Sequence, residues 1–195
     1  MWDQLLSEPV PPPEVCVTKT TWHYGRTIAF SALGRIPEAE AEFDSLTLAY
    51  SMIPESRLVG NNSAKTVLTI GLLMAEGELE YRKGNYDKAF GLLRQAVDKD
   101  DALRYDEPWG WMMPVRHALG ALLTEQGRFD EAITVYEQDL VLHPGNGWAL
   151  NGLANCYAKS GREVEAENTA KLFRDAWDHA DVPIKASCYC ARGSI

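Results

Sequence analysis

Apolar residues along this chain recur at the spacing of an amphipathic helix. Leu119, Leu122 and Leu123 follow an i, i+3, i+4 pattern, which places them on one face of a helix. No alternating apolar and polar run of useful length competes with it. The pattern therefore predicts an all-α chain. The predicted helices are 18–33, 37–50, 64–83, 86–99, 114–126, 129–142, 147–160 and 163–179.

Short breaks join these helices in pairs, which predicts four antiparallel helical hairpins. One hairpin cannot bury its own apolar face, so the hairpins are expected to stack into a right-handed solenoid that forms a single domain, 1–195. The prolines between Pro9 and Pro13 predict an extended segment before the first hairpin. The predicted parts are an extended start 1–17, hairpins 18–50, 64–99, 114–142 and 147–179, and a tail 180–195.

A repeated motif of glycine, four residues and alanine marks the turn inside each predicted hairpin. Its copies are Gly34 to Ala39, Gly84 to Ala89, Gly127 to Ala132 and Gly161 to Ala166. The last two copies are 34 residues apart, and the earlier spacings of 50 and 43 imply insertions of 16 and 9 residues. Glycine ends a helix in the left-handed conformation without penalty. Alanine is small enough for the place where two helices cross.

The period of 34 and its companion residues resemble the tetratricopeptide repeat. In the third copy the companions are Leu119-Gly120, Tyr136 and Pro144. The resemblance implies a helical-repeat scaffold whose concave side binds a peptide or a protein. The opening Trp2-Asp3-Gln4-Leu5 resembles the beginning of a second helix. That would make the chain the C-terminal part of a longer repeat protein.

Several longer blocks are more specific. They resemble the C-terminal half of a family of long, uncharacterised bacterial tetratricopeptide proteins, which implies no settled activity. The tail around Ser187 and Cys188 departs from that group, which leaves the function of the tail open. The blocks are Trp22 to Arg26, Tyr105 to Pro108, Pro114 to Arg116, His143 to Leu150 and Phe173 to Trp177.

Charge and hydropathy exclude some classes of partner. The net charge is −9, and nucleic acid or anionic lipid would require a basic surface. No apolar run approaches the roughly 18–20 residues that span a bilayer, and the first residues lack the features of a secretory signal. The four cysteines show no pairing pattern. We therefore expect a cytoplasmic protein that binds neither nucleic acid nor membrane.

The first helices of successive hairpins should line the concave groove. Counting along each repeat assigns five ligand-binding residues to this groove: Arg82, His117, Asn151, Asn155 and Lys159. Asn151 and Asn155 are i, i+4 neighbours on one helix face, and each amide both donates and accepts a hydrogen bond. Such a pair could hold the backbone of an extended peptide. The alternative is that both are solvated surface residues.

The insertion Tyr105 to Pro114 is rich in Trp and Met, and this composition is typical of contact surfaces. One interpretation is a lip over the groove, with Trp109 and Trp111 as anchors and Arg116 beside them. The other is a packed loop whose tryptophans fill the gap that the insertion opens between hairpins.

No catalytic residues are predicted, because the sequence contains no phosphate-binding glycine loop and no nucleophile or zinc-protease motif. Cys188 and Cys190 are too few for a structural zinc site, so no metal and no cofactor are predicted either. The first hypothesis is a non-catalytic scaffold for a peptide or protein. The alternative is an accessory small-ligand or metal-binding subunit, with a pocket under the insertion or at the C-terminal cysteines. Self-association through an uncapped hairpin end is a third possibility.

Overall fold

The computed structural model describes residues 2–188 of the chain. Over this range it contains nine α-helices and one small antiparallel ribbon. They are α1 (Trp2–Ser7), α2 (Cys16–Ala32), α3 (Ile36–Ser51), β1 (Leu58–Val59), β2 (Asn62–Ser63), α4 (Ala64–Arg82), α5 (Tyr86–Asp101), α6 (Val115–Glu125), α7 (Phe129–Leu142), α8 (Gly147–Lys159) and α9 (Glu163–Trp177). The prediction of an all-α chain is confirmed. Each helix from α2 to α9 begins and ends within two residues of its predicted bounds.

The chain divides into two compact units. Unit 1 is Met1–Met112 and unit 2 is Met113–Ile195. Unit 1 contains helices α1 to α5, in which α2 packs against α3 and α4 against α5. Unit 2 contains α6 to α9, in which α7 packs against both α6 and α8, and α8 against α9. That the two units form a single domain stays a prediction.

Each repeat glycine ends the first helix of its hairpin in the left-handed conformation. At Gly127, where φ is +73°, the backbone N–H donates to Thr124 O at 3.2 Å. The next residue, Arg128, donates its N–H to Leu123 O at 2.9 Å. These two bonds satisfy carbonyls that the helix end would leave open. The same pair of bonds occurs after α2, α4 and α8, which explains why the glycine recurs.

The arginine after the glycine also stabilises the start of the second helix. Arg128 Nε donates to Glu131 Oε1 at 2.6 Å, three residues along. Equivalent pairs are Arg35 with Glu38 and Arg162 with Glu165. A glutamate in the first turn also complements the helix dipole. In each of these three hairpins the turn is therefore fixed by bonds among neighbouring residues.

The repeat alanines lie where the two helices of a hairpin cross. Ala39, Ala89 and Ala132 are completely buried, as predicted for residues that let helices approach closely. Ala166 is only half-buried. It lies on α9, after which the described chain continues as a non-helical tail, so no further hairpin covers this helix within the described residues.

The extended start predicted for 1–17 is wrong at both ends. Residues Trp2–Ser7 form α1, and α2 begins at Cys16. The helix α1 is held by long-range contacts. Arg26 Nη1 donates to Leu6 O at 2.9 Å, and the side chain of Leu5 lies over Gly25. Six residues are too few for a stable isolated helix, so packing onto α2 accounts for α1.

The ribbon β1–β2 in the first insertion was not predicted. Each strand has two residues, with Leu58 opposite Ser63. It is tied to the later insertion by Asn62, whose amide donates to Arg104 O at 3.0 Å and accepts from Arg104 N at 2.8 Å. The two insertions of unit 1 therefore support each other. Among the described residues, no helix has the length and apolar character needed to cross a bilayer.

Candidate functional site

In unit 2 the segment after α9 returns along α8 and α6. Its starting point is Trp177, whose indole N–H donates to Val182 O at 2.7 Å. The Trp177 ring stacks on Phe173 and meets Trp148 edge-on, with ring centroids 5.8 and 5.7 Å away. A Cβ at Gly147 would lie 2.3 Å from the Trp177 ring, so glycine is required there. These aromatic contacts fix the position at which the segment begins. The segment Val182–Ser187 is called the tail segment below.

Asn155 holds the backbone of the tail segment. Its side-chain Nδ2 donates to Lys185 O at 3.3 Å, whereas the Lys185 side chain is exposed. The same Nδ2 lies 3.5 Å from Oδ1 of Asn151. Asn151 is only 8% exposed, and its own Nδ2 has no hydrogen-bond partner among the described residues. A buried amide donor without an acceptor is uncommon in folded proteins.

Ser187 is the most deeply buried residue of the tail segment, at 1% exposure. Its Oγ donates to the backbone oxygen of His117 at 3.0 Å. The same Oγ lies 2.6 Å from the hydroxyl oxygen of Tyr136. Because the serine proton points at His117 O, Tyr136 is the donor in this second bond. The hydroxyl group of Ser187 thus donates one hydrogen bond and accepts another, as expected of a buried hydroxyl.

Two glycines create the space through which Tyr136 reaches the tail segment. A Cβ at Gly120 on α6 would lie 2.5 Å from the Tyr136 ring, and one at Gly152 on α8 would lie 2.4 Å from it. The ring lies between these two helices, and its hydroxyl group emerges at Ser187. Burial raises the pKa of Tyr136 well above its usual range. Tyr136 therefore stays a neutral hydrogen-bond donor at physiological pH.

Ser187, His117 and Asp139 have the residue types of a catalytic triad, but they do not have its geometry. His117 Nε2 bonds to Asp139 Oδ2 at 3.0 Å. Ser187 Oγ donates to the backbone oxygen of His117 and not to the imidazole. In a triad the imidazole bridges the carboxylate and the hydroxyl. Here the buried His117–Asp139 pair joins α6 to α7, which is a structural role.

In unit 1, Arg82 is committed to an ion pair. Its Nε donates to Glu78 Oε1 at 2.8 Å, and the side chains of both residues are 4% exposed. Tyr24 lies nearby, with its hydroxyl 3.9 Å from Met74 Sδ. Burial raises the pKa of Tyr24 well above its usual range, and Glu78 raises it further. Glu78 and Met74 are buried here, whereas Tyr24 is half-buried.

The insertion loop of unit 1 folds onto α2 and α4. The Trp111 ring lies edge-on to Tyr24, with centroids 5.2 Å apart, and a Cβ at Gly71 would be 2.9 Å from it. Asp106 Oδ2 accepts from Asn61 N at 2.7 Å and fixes the loop at its other end. Trp111 therefore packs as expected of a gap-filling loop, whereas Trp109 is 46% exposed.

Comparisons with known proteins agree with the repeat pattern. A family model described as tetratricopeptide repeat matches residues 123–176, which include α7 and α8 and almost all of α9. The match places tetratricopeptide repeats in this part of the chain. A search of curated proteins found no match.

A solved structure shows the same fold. It is the crystal structure of nearly identical TPR-like repeats of a putative kinesin light chain from Podosopora anserina. The two are 17% identical, with a TM-score of 0.57, and the match covers 90% of this chain and 83% of that chain. Tetratricopeptide repeats generally serve as non-catalytic protein-interaction scaffolds, which use the concave surface of stacked hairpins. The resemblance to one bacterial tetratricopeptide family stays a prediction.

The predicted groove residues have different surroundings. Asn155 contacts the tail segment directly, and Asn151 lies beside it. Lys159 is exposed at the end of α8. The side chain of Arg82 is buried in an ion pair with Glu78, and that of His117 is buried in a hydrogen bond with Asp139. That any of these five residues binds a ligand stays a prediction.

Sequence reasoning missed Ser187 and Tyr136 as polar contacts of the site. Tyr136 was predicted only as a companion residue of the third repeat copy, and no local signal marks Ser187. Arg116, expected beside the insertion loop, is buried at the start of α6. The roles proposed for Trp109, Trp111 and Arg116 in a lip over the groove stay predictions.

The cysteines differ from expectation at one position. Cys188 is disulfide-bonded, whereas no pairing pattern is visible in the sequence. Its sulfur is therefore not a free thiolate for a metal. Cys16 and Cys156 are free thiols, and burial raises the pKa of Cys156. Cys190 lies outside the described residues. Within the described part, no group of three or more His, Cys, Asp or Glu residues could hold a metal ion.

Proposed function

We propose that this chain is a non-catalytic scaffold that binds an extended peptide segment of a partner protein. The binding surface is the α6–α8 face, defined by Asn151, Asn155, the backbone of His117 and the hydroxyl of Tyr136. One observation carries the proposal: this face already accommodates a non-helical peptide segment, whose carbonyl at Lys185 accepts a hydrogen bond from Asn155.

The chemistry of the face suits a peptide backbone. Asn155 donates to a main-chain carbonyl, so this hydrogen bond does not depend on the ligand side chain at that position. Asn151 adds a second amide on the same helix face, and its Nδ2 has no acceptor within the described part of the chain. A second ligand carbonyl would satisfy that donor. Two amides one helical turn apart thus supply donors to an extended chain.

Charged groups have a smaller role in this proposal than the sequence suggested. Lys159 is exposed at the end of α8 and can meet an acidic group on the partner. The imidazole of His117 is bonded to Asp139, so His117 would contribute through its backbone oxygen. Arg82 is left out, because its guanidinium is bonded to Glu78 in the interior of unit 1.

A selection from random peptides tests the proposal. A displayed library of twelve-residue peptides is panned against the immobilised full-length protein, and enriched peptides are synthesised and titrated. Binding is expected to weaken about tenfold or more when Asn151→Ala and Asn155→Ala are combined, because two hydrogen bonds from side-chain amides are lost. The matched control is Asn168→Ala, since Asn168 is exposed on α9. Circular dichroism confirms that each variant is folded.

The proposal fails if no peptide is enriched. It also fails if the enriched peptides bind the double variant and the Asn168→Ala control with equal affinity. The second result would place peptide binding elsewhere on the molecule.

A further inference from the structure

We infer that the tail segment is an intramolecular ligand of the α6–α8 face, which competes with the partner and resembles the peptide that this face accepts. The occupant is a segment of this chain, and the external ligand is an extended peptide with a serine at the position of Ser187. The inference rests on the proposed function, and it specifies the peptide ligand and how its binding is regulated.

The contacts of the tail segment are those of a bound peptide. Asn155 and Trp177 bond to its main-chain oxygens at Lys185 and Val182. The side chain of Lys185 is exposed and Val182 is 54% exposed. Ile184 and Ala186 are half-buried, and Ser187 is the one fully buried residue of the tail segment. The face therefore binds the backbone at Val182 and Lys185 and encloses one polar side chain, that of Ser187.

The site for that side chain selects a small hydroxyl group. Ser187 Oγ has both an acceptor at His117 O and a donor at Tyr136. Alanine would leave these two buried groups without their partner, and a larger side chain would collide with them. The ligand therefore requires serine two residues after the carbonyl that Asn155 binds.

The tail segment leaves one hydrogen-bond donor of the face without an acceptor. Asn151 Nδ2 is buried beside it and has no hydrogen-bond partner among the described residues. An external peptide that presents an acceptor there gains a bond that the tail segment does not make. The tail segment is favoured instead by its connection, because only residues 178–181 separate it from the end of α9. An unconnected competitor must overcome an effective concentration of about 1 mM.

Titration with the tail peptide itself tests the inference. The probe is a synthetic peptide of residues 181–187, acetylated and amidated at its ends. It is titrated into full-length ¹⁵N-labelled protein, and dissociation constants are obtained from chemical-shift changes. Three proteins are compared: wild type, Ser187→Arg and His179→Arg. The two variants add the same charge, but the His179 side chain is 100% exposed. Reductant is omitted because Cys188 is disulfide-bonded.

Ser187→Arg should displace the tail segment and open the face. The peptide is expected to bind this variant about tenfold more tightly than wild type. This is the effect of removing an occupant at about 1 mM when the peptide has a dissociation constant of about 0.1 mM. His179→Arg should behave as wild type. The same peptide carrying Ser187→Leu should bind none of the proteins. If Ser187→Arg does not fold, Ser187→Ala replaces it, with an expected gain of about threefold.

Equal affinity for wild type and Ser187→Arg would overturn the inference, since the tail segment would then not compete. If the 181–187 peptide binds no variant while library-selected peptides do, the tail segment does not resemble the peptide ligand. The inference then fails, and the proposed function stands. Binding of neither peptide to any variant would overturn the proposed function as well.

Discussion

The hydroxyl oxygens of Tyr136 and Ser187 lie 2.6 Å apart, although 51 positions separate the two residues in the chain. Tyr136 is a buried residue of α7, and Ser187 belongs to the tail segment. The tyrosine ring lies between Gly120 and Gly152, where added side-chain atoms would collide with it. The bond connects the interior of unit 2 to the segment that covers its α6–α8 face.

A double-mutant cycle measures this bond. Tyr136→Phe and Ser187→Ala should each lower the free energy of unfolding by about 1 kcal/mol, because each leaves a buried polar group without its partner. Their combined effect should fall short of the sum by about 0.5–1.5 kcal/mol. Urea unfolding provides the values.

The control cycle pairs Ser187→Ala with Tyr157→Phe. The Tyr157 hydroxyl donates to Glu137 Oε1 at 2.9 Å, and burial together with Glu137 raises the pKa of Tyr157 to about 12. Tyr157 has no contact with Ser187 among those described, so these two effects should add. Additive effects in the Tyr136 cycle would show that its bond does not form in solution.

Gly120→Ala should destabilise unit 2 by more than about 2 kcal/mol. The added Cβ would lie 2.5 Å from the Tyr136 ring, which is packed on both sides and cannot move away. Gly91→Ala is the matched control, because Gly91 lies within α5 and an added Cβ meets nothing within 4 Å. It should stabilise unit 1 by about 0.5–1 kcal/mol through helix propensity. Similar thermal midpoints for the two variants would contradict the packing described.

Trp111→Ala should destabilise unit 1 by about 2–4 kcal/mol, because the ring packs against Tyr24 and Gly71 and its removal leaves a cavity. Trp109→Ala should cost less than about 1 kcal/mol, since Trp109 is exposed whereas Trp111 is half-buried. Chemical unfolding of the two variants distinguishes a packed loop from a lip. Equal and small losses would favour the lip.

Glu80 should make unit 1 more stable at neutral pH than in acid. The hydrogen bond from Asn85 Nδ2, at 2.6 Å, is the main cause that holds the pKa of Glu80 below its ordinary value of 4.5, and Lys83 and Lys88 add to it. Since the folded pKa is lower than the unfolded one, this contribution is complete above the unfolded value. It is lost as the pH falls through the folded value.

Glu80→Gln should therefore lower the free energy of unfolding by about 1–2 kcal/mol at pH 7, with a smaller difference from wild type near pH 3. Urea unfolding across this range measures the effect. Glu55→Gln is the control, because the side chain of Glu55 is 83% exposed in its pair with Lys65. A difference from wild type that stays constant with pH would exclude ionised Glu80 as the cause.

Asn151→Ala should weaken peptide binding while leaving the stability of the protein almost unchanged. The Nδ2 group has no partner within the described residues, and Oδ1 takes part only in a long contact of 3.5 Å. The free energy of unfolding should change by less than about 0.5 kcal/mol, whereas affinity for a selected peptide should fall about fivefold. Asn62→Ala is the control: Asn62 exchanges two hydrogen bonds with Arg104, and its loss should cost about 2–3 kcal/mol. Equal stability losses would make Asn151 a structural residue.

The helices were predictable because their signals are local. Each hairpin turn depends on a glycine and on bonds within six residues of it, as at Gly127 and Arg128. The helix α1 and the ribbon β1–β2 were not predictable. Both are short, and both are held by partners far away in sequence, such as Arg104 for Asn62.

The candidate site was predictable only in part. Spacing alone put Asn151 and Asn155 on one face, and Asn155 does contact a peptide backbone. The ion pair of Arg82 with Glu78 is an i, i+4 relationship that the sequence also contains. The partner of His117 is 22 residues away and that of Ser187 is 51 away. No periodicity reports contacts at those separations.

The space between Gly120 and Gly152 exists only when α6, α7 and α8 are packed together. During synthesis the chain emerges from its N-terminus, so α8 is made last of the three. The site that holds the Ser187 hydroxyl therefore forms late, after the fourth hairpin has begun to stack on the third. A nascent chain that ends before α8 has no such site. Peptide binding would thus report that α8 has packed against α6 and α7.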